Sequence, residues 1–200
     1  MATHMYSIWL EPPAGTAIAA KSADFIKAQA ARIAGAPLFV PHVTLAGGFV
    51  GAEDEIRVKT RQLASELGSE AGPLFWGAEC EVQDVAIGQA YFQCVYMRMV
   101  PSSQLAKAHE MAAAAFGIPA GNGLGKPYMP HLSLVYGDLT AEEREGVAAA
   151  AKDVLGSDSA VNAGFTADRI ALWRTDISDR SCRSWERVDF FPLQGSEVEV

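Results

Sequence analysis

Val40-Pro41-His42-Val43-Thr44-Leu45 and Met129-Pro130-His131-Leu132-Ser133-Leu134 read alike: apolar, Pro, His, apolar, hydroxyl, Leu. The two copies lie 89 positions apart (131 − 42), one in each half of a 200-residue chain. They hold two of its four histidines. Along a strand, residues i and i+2 leave the same face. His42 therefore points with Thr44, and His131 with Ser133, while Val43 and Leu45 point the other way. If the halves pack about a pseudo-twofold axis, both His–hydroxyl pairs face one cleft.

Working outward, Met5 to Leu10 reads as a strand stopped by Pro12 and Pro13, and Thr16 to Ala34 as an amphipathic helix ended by Gly35. Phe39 to Phe49 is the strand of the first motif, and Glu53-Asp54-Glu55 opens a helix whose dipole favours acid there. Leu74 to Ile87 and Tyr91 to Val100 read as a hairpin jointed at Gly88-Gln89-Ala90, and Pro101 opens a helix. His131 to Gly137 is the strand of the second motif. Thr140 and Glu143 form a capping box, with Val147, Ala151, Val154 and Leu155 facing inward. Strands over 165–175 and 184–193 close the chain, with a frayed tail from Gln194. The expected fold is α+β: one two-lobed unit over residues 1–200, mostly antiparallel sheet, helices outside and a central cleft.

Sixteen Lys and Arg against 24 Asp and Glu leave a net charge of −8. That argues against gripping long nucleic acid, whose affinity comes from cations on phosphates. It permits a small nucleotide-like phosphate in a locally favourable pocket, and a monomer is expected. Cys80, Cys94 and Cys182 lack metal-ligand spacing and read as free thiols, with a Cys80–Cys182 bridge as the alternative. The apolar stretch at 6–10 is too short for a signal peptide, and no run is long enough to cross a membrane. The expected location is cytoplasmic.

Two imidazoles and two hydroxyls in one cleft suit phosphoester chemistry. A neutral imidazole can take a proton from attacking water, and an imidazolium can protonate the departing sugar oxygen. Histidine's ordinary pKa near 6.5 lets both forms exist near neutrality. Hydroxyls of Thr44 and Ser133 can hydrogen-bond the non-bridging oxygens as charge builds. Neither a metal nor another cofactor is called for. The near symmetry leaves acid and base interchangeable; the first assignment has His131 activating water and His42 protonating the leaving oxygen.

These motifs resemble the two H-x-T/S motifs of the 2H phosphoesterase superfamily. MYSIWLEPP, FVPHVTL, YFQCVYM, KPYMPHLSLVYGDLTAEER, ALWRTD and SWERV are similar to the plant-type cyclic phosphodiesterases acting on ADP-ribose 1'',2''-cyclic phosphate. The resemblance implies hydrolysis of a ribose cyclic phosphate to a monoester. It implies His42 and His131 as the catalytic pair, and Thr44, Ser133 and Tyr136 as substrate contacts. Tyr136 follows Ser133 by three, so strict alternation puts it on the wrong face unless the strand bends near Gly137. Phe92 is a candidate to stack on a base.

Other features read as ordinary. Gly121-Asn122-Gly123-Leu124-Gly125-Lys126 lacks phosphate-loop spacing and reads as a flexible loop that could close over substrate. His4 falls in a mobile terminus, and His109 sits on a helix without a second ligand at i+4. Glu142, Glu143 and Glu145 form a solvated helix face. Arg98, Arg174 and Lys126 are candidates to offset the acidic surface near the cleft.

Overall fold

The computed structural model describes residues 2–119, 121 and 127–193. Its main sheet has seven strands: β1 (Thr3–Leu10), β2 (Val43–Ala52), β4 (Val82–Ala90), β5 (Gln93–Met99), β6 (His131–Val135), β8 (Arg169–Arg174) and β9 (Glu186–Pro192). They run β4-β5-β6-β2-β1-β8-β9, and every pairing is antiparallel. β3 (Ala78–Cys80) and β7 (Phe165–Ala167) form a separate two-stranded sheet.

Among the described residues five α-helices lie against these strands: α1 (Ala17–Arg32), α2 (Glu53–Leu67), α3 (Ser103–Phe116), α4 (Ala141–Ala151) and α5 (Ser159–Asn162). Their starts follow local chemistry. Thr16 accepts from Ala19 N at the head of α1, and Ser102 from Leu105 N at the head of α3. Thr140 and Glu143 make the expected capping box on α4.

The sheet divides where the motif strands meet. β2 and β6 share a single residue pair, Val43 with Leu132. On one side lie β2, β1, β8 and β9, and on the other β6, β5 and β4. The helices cross this seam. α1 follows β1 yet packs on β6, and α3 follows β5 yet packs on β2. Val43, Leu45, Leu132 and Leu134 are all buried, as the alternation requires.

Several expectations are corrected. The strand from Leu74 breaks at Glu81, and the one from Phe165 breaks at Asp168, because β3 and β7 leave the main sheet to pair with each other. The β4–β5 turn falls at Tyr91-Phe92, with Ala90 paired to Gln93. His4 is held in β1 opposite Gly51. Val154 is exposed, because a π-helical turn at Lys152–Gly156 shifts the phase after α4. All three cysteines are free and buried, so the alternative bridge is absent. The glycine-rich stretch after Gly121, with Lys126, and the tail from Gln194 lie outside the described residues.

Candidate active site

The register places the motif side chains. With Val43 opposite Leu132 on antiparallel strands, His42 falls across from Ser133 and Thr44 across from His131. The histidines are then diagonal neighbours, about 7–8 Å apart at the backbone. All four residues line one cavity of about 300 Å³, together with Tyr136. Every site residue expected from sequence is thus brought to one place.

Each ring is oriented the same way. His42 Nδ1 lies 2.6 Å from Val40 O, and His131 Nδ1 lies 3.0 Å from Met129 O. A carbonyl only accepts, so Nδ1 carries the proton in both neutral rings. The matching X-Pro-His frames produce this geometry twice. Nε2, the atom that can take or give a proton, is then the acceptor in each neutral ring, and at His131 it lies 3.5 Å from the side-chain amide nitrogen of Gln93.

The two environments differ. Trp9 of β1 stacks flat on His42, with centroids 3.5 Å apart and planes 6° apart, and Trp173 of β8 stacks on Trp9 at 4.3 Å. His42 is 4% exposed. Tyr96 of β5 holds the corresponding place beside His131 but meets it edge-on at 5.1 Å, leaving His131 half-buried. Burial, opposed by the bond to Val40 O and aided by charge on His131, pushes the His42 imidazole down from 6.5 to about 3. Burial lowers His131 too, opposed by its bond to Met129 O.

Tyr136 does reach the cavity, though not through a bend at Gly137. Tyr96 pairs with Ser133 and Val95 with Val135, so Leu134 is an extra residue, a β-bulge. The bulge shifts the alternation by one and turns Tyr136 onto the face of His131 and Ser133. The phenol is in hydrogen-bond contact with Ser133, and burial keeps it protonated. β2 carries the equivalent bulge at Leu45, since Trp9 pairs with Thr44 and Ile8 with Ala46.

Beyond Val43 and Leu132 the strands part, and two β2 carbonyls lose the partner strand. Side chains replace it. Tyr128 Oη donates to Thr44 O at 2.8 Å, and His109 Nδ1 donates to Leu45 O at 2.7 Å. The two rings stack at 4.2 Å, and His109 Nε2 accepts from Gly121 N at 2.8 Å. His109 therefore acts as a brace for the first motif. Tyr128→Phe leaves Thr44 O unpaired, and it should lower unfolding stability by about 1–3 kcal/mol in urea titration. An unchanged midpoint would refute the brace.

The sequence reading missed Trp9, Ser7 and Thr175, which also line the cavity. Trp9 could have been found from MYSIWL as a strand neighbour of the first motif. The cavity lining among the described residues contains no Asp, Glu, Lys or Arg. Arg98 is paired with Asp84, and Arg174 with Glu53 and Glu186, so neither offsets charge in the cleft. Among the described residues, no group of three or more His, Cys, Asp or Glu is placed to hold a metal ion.

Residues 4–193 match the family described as "Cyclic phosphodiesterase-like protein". The chain belongs to that family. It is 29% identical over 185 residues to the cyclic phosphodiesterase of Arabidopsis thaliana, covering 92% of each chain. Its fold is similar to crystal structures of E. coli LigT. For the complex with 3'-AMP the TM-score is 0.56 at 12% identity, over 97% of this chain and 99% of that one. For the complex with NADP+ it is 0.54 at 12% identity, over 96% and 99%. Membership makes the chain a phosphodiester hydrolase, on a mostly antiparallel α+β fold shared with LigT.

Proposed function

We propose that the chain hydrolyses cyclic phosphates on ribose by acid–base catalysis between His42 and His131. The observation that carries this is the pair of imidazoles, each tied by Nδ1 to a backbone carbonyl and both lining one cavity. Proposed substrates are ADP-ribose 1'',2''-cyclic phosphate, giving ADP-ribose 1''-phosphate, and nucleoside 2',3'-cyclic phosphates, giving 2'-phosphates. The similarity to a protein named cyclic phosphodiesterase supports the reaction class. A LigT structure complexed with 3'-AMP supports a nucleotide-sized ligand on this fold.

The electrostatics favour the reverse of the first acid–base assignment. His42 is the more deeply buried ring, so it is neutral near pH 7 and suited to be the base. Its Nε2 takes a proton from water as the water oxygen bonds to phosphorus. The phosphorus–oxygen bond to one ribose oxygen breaks, and Nε2–H of His131 protonates that oxygen. Thr44, Ser133 and Tyr136 donate hydrogen bonds to the phosphoryl oxygens. No step calls for a metal ion. A bound phosphate anion raises the pKa of the half-buried His131 and so recruits its proton.

The experiment is hydrolysis of ADP-ribose 1'',2''-cyclic phosphate and the four nucleoside 2',3'-cyclic phosphates with EDTA present. Turnover to monoesters is expected, undiminished by EDTA. Loss of activity in EDTA would overturn the two-histidine mechanism, and absence of turnover would overturn the substrate class.

A further inference from the structure

We propose that Ser7 and Thr175 form an uncharged subsite that hydrogen-bonds the oxygen on the primary carbon of the bound ribose. This rests on the cyclic-phosphate reading above.

Both residues line the cavity of His42 and His131, yet neither belongs to an H-x-T/S motif. Ser7 is 8% exposed and Thr175 2%. Ser7 Oγ and Thr175 Oγ1 lie 2.7 Å apart, and either can be the donor. Two hydroxyls carry two hydrogens, and their mutual bond uses one. Among the described residues neither has another partner, so one O–H remains for an acceptor in the cavity.

The pseudo-symmetry shows why this place is open. By the 89-residue offset, position 47 corresponds to position 136 (136 − 89). The second lobe fills that position with the phenol of Tyr136. The first has Gly47, and a Cβ there would come 2.9 Å from Ser7 Oγ. Beside it, Gly48 is a second β2 bulge at φ +81°, since Ser7 pairs with Gly47 and Tyr6 with Phe49. The twin glycine keeps the Ser7 hydroxyl clear.

Position sets what the subsite reads. Thr44 is opposite Trp9, and Ser7 is two residues from Trp9 on the same face, about 6–7 Å along β1. That offset compares with the span from a cyclic phosphorus across the sugar to its primary-carbon oxygen. Among the described residues no cation lines the cavity, which suits a hydroxyl or ester oxygen. Nucleoside cyclic phosphates and ADP-ribose cyclic phosphate share this oxygen.

The test compares cytidine 2',3'-cyclic phosphate with its 5'-deoxy analogue. kcat/KM is read for hydrolysis, and Kd by calorimetry for the matching 2'-monophosphates. The wild type should favour the 5'-oxygenated compound by about tenfold, the worth of one hydrogen bond. Ser7→Ala combined with Thr175→Val should erase that preference, because either substitution alone leaves the other hydroxyl with a free O–H. Thr175→Ser should keep it. A preference that persists in the double variant overturns the proposal. So does an equal loss on both compounds, which would assign the hydroxyls to a phosphate oxygen or to structure. Hydrolysis without preference removes the subsite and leaves the proposed activity. Preferential binding without hydrolysis does the opposite.

Discussion

Replacing His42 or His131 by alanine is expected to lower kcat on a ribose cyclic phosphate by about 10² to 10⁴, with each variant still folded. The two losses should separate when the leaving group is changed. On a p-nitrophenyl phosphodiester the departing oxygen needs no proton. His131→Ala, which removes the proposed acid, should then lose far less than on the ribose substrate. His42→Ala, which removes the base, should lose about as much on both. The opposite pattern would restore the first assignment, in which His131 activates water. Equal rates for wild type and both variants would remove the histidines from the chemistry altogether.

Acidity supplies the second large effect. In the proposed mechanism the working form has His42 neutral and His131 protonated. His42, lowered to about 3, is neutral through the whole range in which the protein would be assayed. His131 is lowered from 6.5, so the free protein loses the required proton as pH rises through that lowered value. kcat/KM should therefore fall about tenfold per pH unit above a midpoint below 6.5. The kcat midpoint should lie higher, because bound phosphate stabilises the imidazolium. His131→Ala should lack this alkaline limb. A wild-type kcat/KM that stays flat from pH 6 to 8 would contradict the assignment.

The cleft was legible because its central residues obey a rule that needs no tertiary knowledge. His42 with Thr44 and His131 with Ser133 share a face by period two, and two matching frames are hard to meet by accident. Tyr136 was not legible in that way. Its face depends on the bulge at Leu134, which exists only in the pairing of β6 with β5. The breaks at Glu81 and Asp168 were hidden for the same reason, since β3 and β7 are defined by each other. Ser7 and Thr175 are ordinary hydroxyl residues 168 positions apart, and nothing local marks them as a pair. His109 was read as lacking a metal partner, whereas its partner is the carbonyl of Leu45 exposed by the parting of the sheet. The proposed acid–base order was hidden because it rests on how flat an aromatic ring lies against each histidine.

The Trp9 stack also bears on how the protein is made. Both H-x-T/S motifs have been synthesised by residue 134, with a third of the chain still to come. One face of Trp9 covers His42, but the other waits for Trp173, and β1 waits for β8 to become an interior strand. Synthesis runs from the N-terminus, so β1 spends most of translation as an edge. The environment that holds His42 neutral is completed by the last strands to emerge. A nascent or truncated chain carrying both histidines therefore lacks the finished cavity, whose Thr175, Ile177 and Trp185 come from the closing segment.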